Sequence, residues 1–202
     1  MTKIIHQIFL KISDKTMEDY GYDKNSQEWR KWCKANGYRY MLHNEASISK
    51  VMTNKDKQMR ARVKREGRVP FINIDWGKLI VLNHYGGAYI DLDVLPTPKS
   101  KIYLERPPPI ISSWRNKRGD PICNNQVLIF NKGTARSVLD FAYKQYEQKA
   151  KMRIYEERKI RFLFQVAGPR MVCKWARENG IKYQKDFHRY FIDKVTTSWL
   201  KS

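Results

Sequence analysis

The stretch "YGGAYIDLDVLPTP", residues 85–98, limits the fold of this chain more than any other segment. Gly86-Gly87 interrupts a long apolar segment, and the short apolar run that follows ends in Asp91 and Asp93. Two glycines stop a helix and allow a tight turn, so the pattern predicts a helix that turns directly into a strand. Because side chains alternate along a strand, Asp-Leu-Asp predicts both carboxylates on one side. Two like charges are costly at the end of a buried strand, and a cation is the partner this pattern predicts.

Strand and helix patterns alternate along the rest of the chain. Short apolar segments predict strands, and these are "KIIHQIFLKI", "YRYML", "AYIDLDV", "PIISSW", "NQVLIF" and "RYFID". Apolar residues at helical spacing predict helices at 25–37, 69–84, 134–149 and 169–179. This alternation predicts an α/β fold, a single domain over residues 1–202 with a central mixed β-sheet flanked by helices. Such sheets bind ligands at the carboxyl ends of their strands, where Asp91 and Asp93 are expected.

The charge of the chain is strongly positive. Lys and Arg number 40 against 20 Asp and Glu, which gives a formal net charge of +20. Such a field attracts phosphates, nucleic acids or anionic surfaces without distinguishing among them. The densest basic runs, residues 55–68 and 144–161, are predicted to form solvent-facing helices.

Cysteine usage and the apolar segments predict the cellular setting. Cys33, Cys123 and Cys173 are odd in number and widely spaced, which predicts reduced, mostly buried thiols. No apolar run approaches the roughly 20 residues that span a bilayer, so no transmembrane segment is expected. The start "MTKIIHQIFLKIS" lacks the pattern of a signal peptide. We therefore expect a cytoplasmic protein that is not secreted.

The segment "DWGKLIVLNHYGGAYIDLDV", residues 75–94, resembles the signature of the DXD glycosyltransferases. This group includes the yeast α-1,6-mannosyltransferases and the glucosylating large clostridial toxins. Its signature is a helical Asp, an Arg one turn later, a Gly-Gly turn, an aromatic residue and Asp-x-Asp. The matching residues here are Asp75, Lys78, Gly86, Gly87, Tyr89, Asp91 and Asp93.

The resemblance extends more faintly to "KIIHQIF", "NNQVLIFNKG", "AGP" at 167–169 and the terminal "TTSW". The chain is most similar to small viral members of the group, which glycosylate a capsid protein of their own virus. The resemblance implies a GT-A-like (Rossmann-like) fold, a UDP-sugar donor with a GDP-sugar as the alternative, and Mn²⁺ or Mg²⁺ as cofactor. It also implies retaining transfer to a hydroxyl of a glycan or glycoprotein, such as a viral capsid protein.

The resemblance assigns roles to individual residues. Asp93 would be the direct metal ligand, Asp91 would contact the ribose or donor sugar and support the metal, and Asp75 would hold hydroxyls of the donor sugar. Lys78 takes the place of an Arg, although an ammonium cannot reproduce the bidentate fork of a guanidinium. The substrate-binding residues implied are Phe9 stacking on the base, Tyr89 beside the ribose and Asn125 near the transferred sugar.

The C-terminus departs from the family pattern, which has a His a few residues before Ser-Trp. Here the segment reads "FIDKVTTSW". Three interpretations stay open: Asp193 supplies the missing oxygen ligand, Lys194 neutralises phosphate directly, or the metal relies on Asp93 and water. Ser198 and Trp199 would belong to a tail that closes over the diphosphate.

Two other functions compete with glycosyl transfer. The charge and the run at 55–68 are typical of a basic protein that binds nucleic acid or another polyanion, but no zinc-finger spacing or RNP-like motif accompanies them, so no specific nucleic acid is expected. A nucleotide-sugar hydrolase on the same fold differs only in that water attacks the sugar. His6, a lone histidine in an apolar strand, is predicted to be structural.

Overall fold

The fold is described from a computed structural model, which covers residues 2–11, 14–66, 71–115, 121–150 and 159–194. Its strands are β1 (Ile4–Ile8), β2 (Arg39–His43), β3 (Gly87–Ile90), β4 (Val94–Pro96), β5 (Ile110–Arg115), β6 (Pro121–Phe130) and β7 (Phe191–Asp193). Its helices are α1 (Tyr22–Asn36), α2 (Glu45–Val51), α3 (Asn54–Arg65), α4 (Phe71–Tyr85), α5 (Ser100–Leu104), α6 (Arg136–Lys149), α7 (Lys159–Val166) and α8 (Pro169–Glu178). Within these ranges no helix is both long and apolar enough to cross a membrane.

The centre of the fold is a mixed sheet with the strand order β2-β1-β3-β6-β5. Strand β1 pairs in parallel with β2 and β3, whereas β6 pairs antiparallel with both β3 and β5. Strands β4 and β7 form a separate antiparallel pair. The predicted α/β fold with a central mixed sheet flanked by helices is confirmed.

Alternate residues of the central strands pack against different helices. In β6, Leu128 and Phe130 belong to the core that includes residues of α4, α6, α7 and α8. Their neighbours Val127 and Ile129 belong to the opposite core, which includes residues of α1 and α5. Strands covered on both faces are continuously apolar, which explains why β1 and β6 lack a polar alternation.

The predicted strand over 88–94 is wrong in its second half. Strand β3 ends at Ile90, and the amide of Val94 donates a hydrogen bond to the carbonyl of Asp91 at 3.1 Å, which closes a turn. The chain leaves the central sheet at this turn, because β4 pairs with β7 instead. Asp91 and Asp93 therefore lie in a turn, and strand alternation does not determine their directions.

The first basic run was predicted to form a solvent-facing helix, and this is only half correct. Helix α3 covers most of that run, but Met59 and Val63 belong to the core and Arg60 is only 6% exposed. The Arg60 guanidinium lies 2.7 Å from the carboxylate of Glu45 in α2. A buried arginine is stable only when it is paired, so part of this positive charge is used inside the fold. The second run begins in α6, and its residues 151–158 lie outside the described part of the chain.

The cysteine prediction is wrong for two of the three residues. Cys123 of β6 and Cys173 of α8 form a disulfide, with their Cα atoms 5.8 Å apart. They are 50 residues apart in sequence, and only the packing of α8 against β6 brings them together. Cys33 is a buried free thiol, as predicted, and burial raises its pKa to about 12.

Gly87 lies where β3 passes very close to β1. Its φ is 98°, and a Cβ built there would lie 2.6 Å from the carbonyl oxygen of Ile4. We expect Gly87→Ala to lower the free energy of unfolding by about 3 kcal/mol or more, because backbone strain and a backbone clash add together. Gly133 is a matched control, since its φ is 83° and no described atom lies within 4 Å of its Cβ position. Denaturant unfolding measures the stability of Gly87→Ala and Gly133→Ala. Equal losses of stability would show that the contact between residue 87 and Ile4 has no effect.

His6 and His43 form a buried pair between β1 and β2. Their Nδ1 and Nε2 atoms lie 2.9 Å apart, and Nε2 of His6 lies 2.9 Å from the carbonyl oxygen of Gly86. Burial lowers the pKa of His6 from 6.5 to about 3 and that of His43 to about 4. Both rings are therefore neutral in the folded protein, and the structural role predicted for His6 is confirmed by its complete burial.

This pair predicts a loss of stability on acidification. Below pH 6.5 both histidines take up protons in the unfolded chain but stay neutral in the folded protein. The free energy of unfolding therefore decreases as pH falls from 6.5 toward 4. The expected slope is about 1.4 kcal/mol per pH unit for each ring. Denaturation at a series of pH values checks this, with His43→Gln expected to flatten the slope. An unchanged slope in that variant would assign the acid sensitivity to other groups.

Candidate active site

The Asp-Leu-Asp turn lies at the carboxyl edge of β1 and β3, as predicted. Its backbone is held from several sides: Gln7 of β1 donates to the carbonyl of Asp91 at 3.3 Å, and Asn25 of α1 donates to the carbonyl of Leu92 at 2.8 Å. The amide of Asp91 donates to the carbonyl of Gln126 in β6 at 2.9 Å. A turn fixed by three elements holds its carboxylates in defined positions.

Lys78 joins two of the predicted site residues in a buried ion-pair cluster. Its Nζ lies 3.0 Å from Oδ1 of Asp75 and 2.9 Å from Oδ1 of Asp91, and its side chain is 6% exposed. The hydroxyl of Tyr89 donates to the same Oδ1 of Asp91 at 2.8 Å. Asp75 and Lys78 are one turn apart on α4, so the helix aims both at the turn that carries Asp91.

Burial and charge set the protonation of this cluster. Burial by itself opposes the positive charge of Lys78, but Asp75 and Asp91 outweigh it and hold the pKa of the ammonium above its usual value. Burial raises the pKa of Asp91, an effect that Lys78 partly offsets. The pKa of the Tyr89 hydroxyl lies well above its usual value, because the group is buried beside Asp91. The cluster therefore contains one ammonium between two carboxylates.

Asp93 differs from the cluster because no cation of the described residues forms an ion pair with its carboxylate, although the charge of Lys78 weakly lowers its pKa. No side-chain partner for it exists within the described residues, and burial, together with repulsion from Asp91 and Asp193, raises its pKa to about 7. A divalent cation would relieve this repulsion, and carboxylate oxygens are the ligands that Mg²⁺ and Mn²⁺ prefer. The described residues contain no group of three or more His, Cys, Asp and Glu arranged to hold a metal. The protein can thus supply part of a coordination shell that a diphosphate completes.

Strand β7 brings Asp193 and Lys194 beside the turn. Gln126 donates to Oδ2 of Asp193 at 3.1 Å. The backbone amide of Lys194 donates to the carbonyl of Asp93 at 3.0 Å, and its Nζ lies 3.2 Å from Oδ1 of Asn25. The geometry is compatible with Asp193 as a ligand and with Lys194 as a phosphate contact, and it brings both to the predicted site.

The remaining predicted residues fall into three groups. Asn125 lies in the site, where its Nδ2 donates to Oδ1 of Asp75 at 2.9 Å. Phe9 follows the end of β1 and is partly exposed. Tyr89 is only 1% exposed, and its hydroxyl donates a hydrogen bond to Asp91. Ser198 and Trp199 lie outside the described residues.

Three amides of the site were missed by sequence reasoning. Gln7, Asn25 and Gln126 hold the backbone of the turn or orient Asp193. Gln7 and Gln126 lie next to other polar residues inside strands that are mostly apolar, and those polar stretches, His6-Gln7 and Asn124 to Gln126, were the available signal. Burying an amide is costly unless it is hydrogen-bonded, so such residues indicate a specific partner.

Comparison with known proteins agrees with this geometry. The model of a family described as a glycosyltransferase sugar-binding region containing a DXD motif matches residues 21–113. The catalytic domain of alpha-toxin from Clostridium novyi is similar over 99% of this chain and 79% of its own, with a TM-score of 0.65 and 11% identity. PaToxG glycosyltransferase is similar over 88% of this chain and 69% of its own, with a TM-score of 0.54 and 14% identity.

A glycosyltransferase involved in glycosylation of the major capsid of PBCV-1 aligns with 78% of this chain and 74% of its own, but its TM-score is 0.38 at 15% identity, too low for an argument. No curated protein sequence matches the chain. The predicted resemblance to DXD glycosyltransferases and the GT-A-like fold are confirmed. The solved structures agree with this chain in fold, and the matched region contains Asp75, Asp91 and Asp93.

Proposed function

We propose that this chain is a metal-dependent glycosyltransferase that moves a sugar from a nucleotide sugar, with a UDP-sugar favoured, to a hydroxyl of a glycan or glycoprotein. The observation that carries the proposal is Asp93, a partly buried carboxylate that has no cationic partner among the described residues and a pKa raised to about 7. It lies next to the Lys78 cluster, within the region that matches the DXD family. A strand-end turn with one paired and one unpaired aspartate has a simple explanation if a bound cation completes the charge balance.

Asp93 is the residue that would hold a divalent cation, Mn²⁺ or Mg²⁺. When bound, such a cation neutralises the charge that develops on the nucleotide diphosphate as it leaves. Asp193 is the second candidate ligand, since Gln126 orients its Oδ2 and its charge contributes to the raised pKa of Asp93. Lys194, one residue further, is placed to add positive charge beside a diphosphate.

Asp75 and Asp91 are proposed to bind the donor through the oxygens that the Lys78 cluster leaves available. Lys78 and Asn125 both contact Oδ1 of Asp75. The Oδ2 atom lies 3.5 Å from the position of a Cβ built on Gly168, so the absence of a side chain there keeps this oxygen approachable. Hydroxyls of a donor sugar would donate to it. Lys78 itself is buried, and we assign it the role of positioning both carboxylates rather than contacting the donor.

The nucleotide is proposed to bind at the carboxyl end of β1. Phe9 is partly exposed there and offers an aromatic face to a base. The ribose role predicted for Tyr89 is replaced in this proposal by support of Asp91, because its hydroxyl is already engaged. The closing role of Ser198 and Trp199 stays a prediction.

The reaction would exchange one bond at the donor sugar for another. The acceptor oxygen forms a bond to C1, the bond from C1 to the diphosphate oxygen breaks with its electron pair on the nucleotide, and the hydroxyl proton is released. Retention of stereochemistry and a viral capsid acceptor follow from the resemblance and stay predictions. Attack by water instead of a sugar hydroxyl would make the protein a nucleotide-sugar hydrolase.

Calorimetric titration tests the proposal. UDP, GDP and a panel of their sugars are titrated with Mn²⁺ and with chelator into wild type, Asp93→Ala and Glu147→Ala, whose carboxylate is exposed on α6. One nucleotide should bind only with metal, and Asp93→Ala should weaken binding by roughly 10- to 100-fold, while Glu147→Ala should not. Product analysis then separates transfer from hydrolysis. If no nucleotide binds under any condition, the Asp-Leu-Asp turn is not a donor site and the proposed function is wrong.

A further inference from the structure

A second concave surface begins beside the candidate active site. This surface, here called the basic groove, is lined by the end of α6, by α7 and α8, by the segment 181–186 and by Cys123 and Asn124 of β6. Its cationic lining residues are Lys149, Arg170, Lys174, Arg177, Lys182 and Lys185. Among its described lining residues, Asp186 alone carries a carboxylate.

The positive charge of the basic groove is not balanced from within. Asp186 already holds a bidentate ion pair with Arg106, at 2.9 and 2.8 Å, so it does not neutralise the groove cations. Lys174 lies 3.9 Å from Glu178, a loose and exposed pair. Within the described residues, the other five cations of the groove have no ion-pair partner. Concentrated, unpaired positive charge in a concave surface favours an anionic ligand.

The floor of the basic groove is apolar, and its amides are largely engaged. Phe164, Ala176, Ile181 and the disulfide between Cys123 and Cys173 line it. Sugar hydroxyls need hydrogen-bonding partners, and an apolar floor offers few of them. It suits aliphatic side chains of a polypeptide instead.

Three of the four side-chain amides that line the groove, those of Asn124, Gln145 and Gln184 but not that of Gln165, have neighbouring partners among the described residues. Oε1 of Gln145 lies 3.3 Å from Nζ of Lys174, and Oε1 of Gln184 lies 3.2 Å from the guanidinium of Arg106. Asn124 donates to Gln126 at 2.6 Å. A ligand that binds here therefore gains more from charge at the rim and apolar contact at the floor than from hydrogen bonds to these groups.

The basic groove is continuous with the candidate active site at two points. Asn124 lines the groove and bonds to Gln126, which in turn donates to Asp193. Pro169 also lines the groove, and it directly follows Gly168, the residue that faces Asp75. A chain lying in the groove would end beside the carboxylates assigned to the donor sugar.

We propose that the basic groove binds an acidic polypeptide segment of the acceptor, with carboxylates on the rim and apolar side chains on the floor. The segment would deliver a neighbouring hydroxyl to the donor site. The identification of this peptide as the acceptor rests on the proposed function. The binding of an acidic peptide itself depends only on the groove.

Fluorescence anisotropy tests this binding. The probes are a short labelled peptide of Glu, Leu and Ser, the same peptide with Gln in place of Glu, and a labelled heparin fragment. Wild type is compared with the charge-reversed groove variant R170E/K174E/R177E and with K57E/K64E/R65E, which reverses three exposed cations on α3. Thermal unfolding of both variants confirms that each is folded.

The acidic peptide should bind wild type and the α3 variant, and the groove variant should weaken it by about tenfold or more, since each reversal turns attraction into repulsion. The affinity should fall with added salt, and the Gln peptide should bind weakly or not at all. Equal binding by both variants, no binding by wild type, or binding of the heparin fragment alone would overturn the proposal. Titration of UDP with Mn²⁺ into wild type tests the proposed function separately from peptide binding by the groove. If wild type binds the acidic peptide but no UDP, the proposed function is refuted and the groove is still a peptide-binding site.

Discussion

Asp93→Asn is expected to slow sugar transfer strongly and, at the same time, to make the ligand-free protein more stable above pH 7. Transfer should fall roughly a hundredfold or more, because the proposed metal ligand is lost. Stability should rise because the folded pKa of Asp93, about 7, lies above its ordinary value of 3.8, so keeping it charged near and above pH 7 opposes folding. An amide carries no charge, and we expect a gain of about 1–3 kcal/mol at pH 8.

Denaturant unfolding between pH 5 and 8, with transfer assays in parallel, measures both effects. The stability gain should shrink as pH falls, because wild-type Asp93 then takes up its proton in the folded state. Asp140→Asn is the matched control: a hydrogen bond from Arg136 lowers the pKa of that carboxyl, so its loss should reduce stability slightly and leave transfer unchanged. A variant at Asp93 that keeps transfer, or one that is less stable than wild type at pH 8, would refute this account.

Lys78→Met is expected to give the largest loss of stability among single changes at the site. The substitution removes the ammonium that lies within 3.0 Å of both Asp75 and Asp91 and leaves their carboxylates uncompensated. Breaking a buried pair in this way costs about 3–5 kcal/mol. Transfer should also be lost, because the two carboxylates no longer have a fixed position.

A double-mutant cycle distinguishes this cause from a simple packing defect. Adding Asp91→Asn to Lys78→Met removes one of the uncompensated charges, so the double variant should recover part of the lost stability. Lys31→Met, at a residue whose exposed side chain pairs with Glu28, should change stability by less than about 1 kcal/mol. Strictly additive losses in the cycle would show that Lys78 acts through its aliphatic stem alone.

Local patterns in the sequence were sufficient for most of the secondary structure. Helix α1 ends where Gly37 adopts a left-handed φ of 72°, and α4 ends directly before Gly86, whose φ is 68°. Both stops depend on one property of glycine that operates within a few residues. The apolar runs of β1 and β6 likewise predict buried strands without knowledge of their partners.

The sequence also identified most residues that converge on the site. Asp75, Lys78 and Asp91 were predicted through a family resemblance, and the structure brings their charged groups within hydrogen-bonding distance. Neither their spacing nor the composition could show that Lys78 would be buried between two carboxylates. That arrangement requires α4 to pack beneath the turn after β3.

Contacts between distant segments were decided only by the tertiary structure. Strand β3 ends at Ile90, and the following strand β4 pairs with β7, which lies about a hundred residues later in the chain. The disulfide from Cys123 to Cys173, the burial of Arg60 and the bond from Gln126 to Asp193 depend on the same kind of packing. By itself, the sequence determined the elements and their order, since helix periods and glycine turns act locally. The charge state of Asp93 and the unpaired basic groove depend on which surfaces meet, because burial and Coulomb energies follow distances in space rather than along the chain.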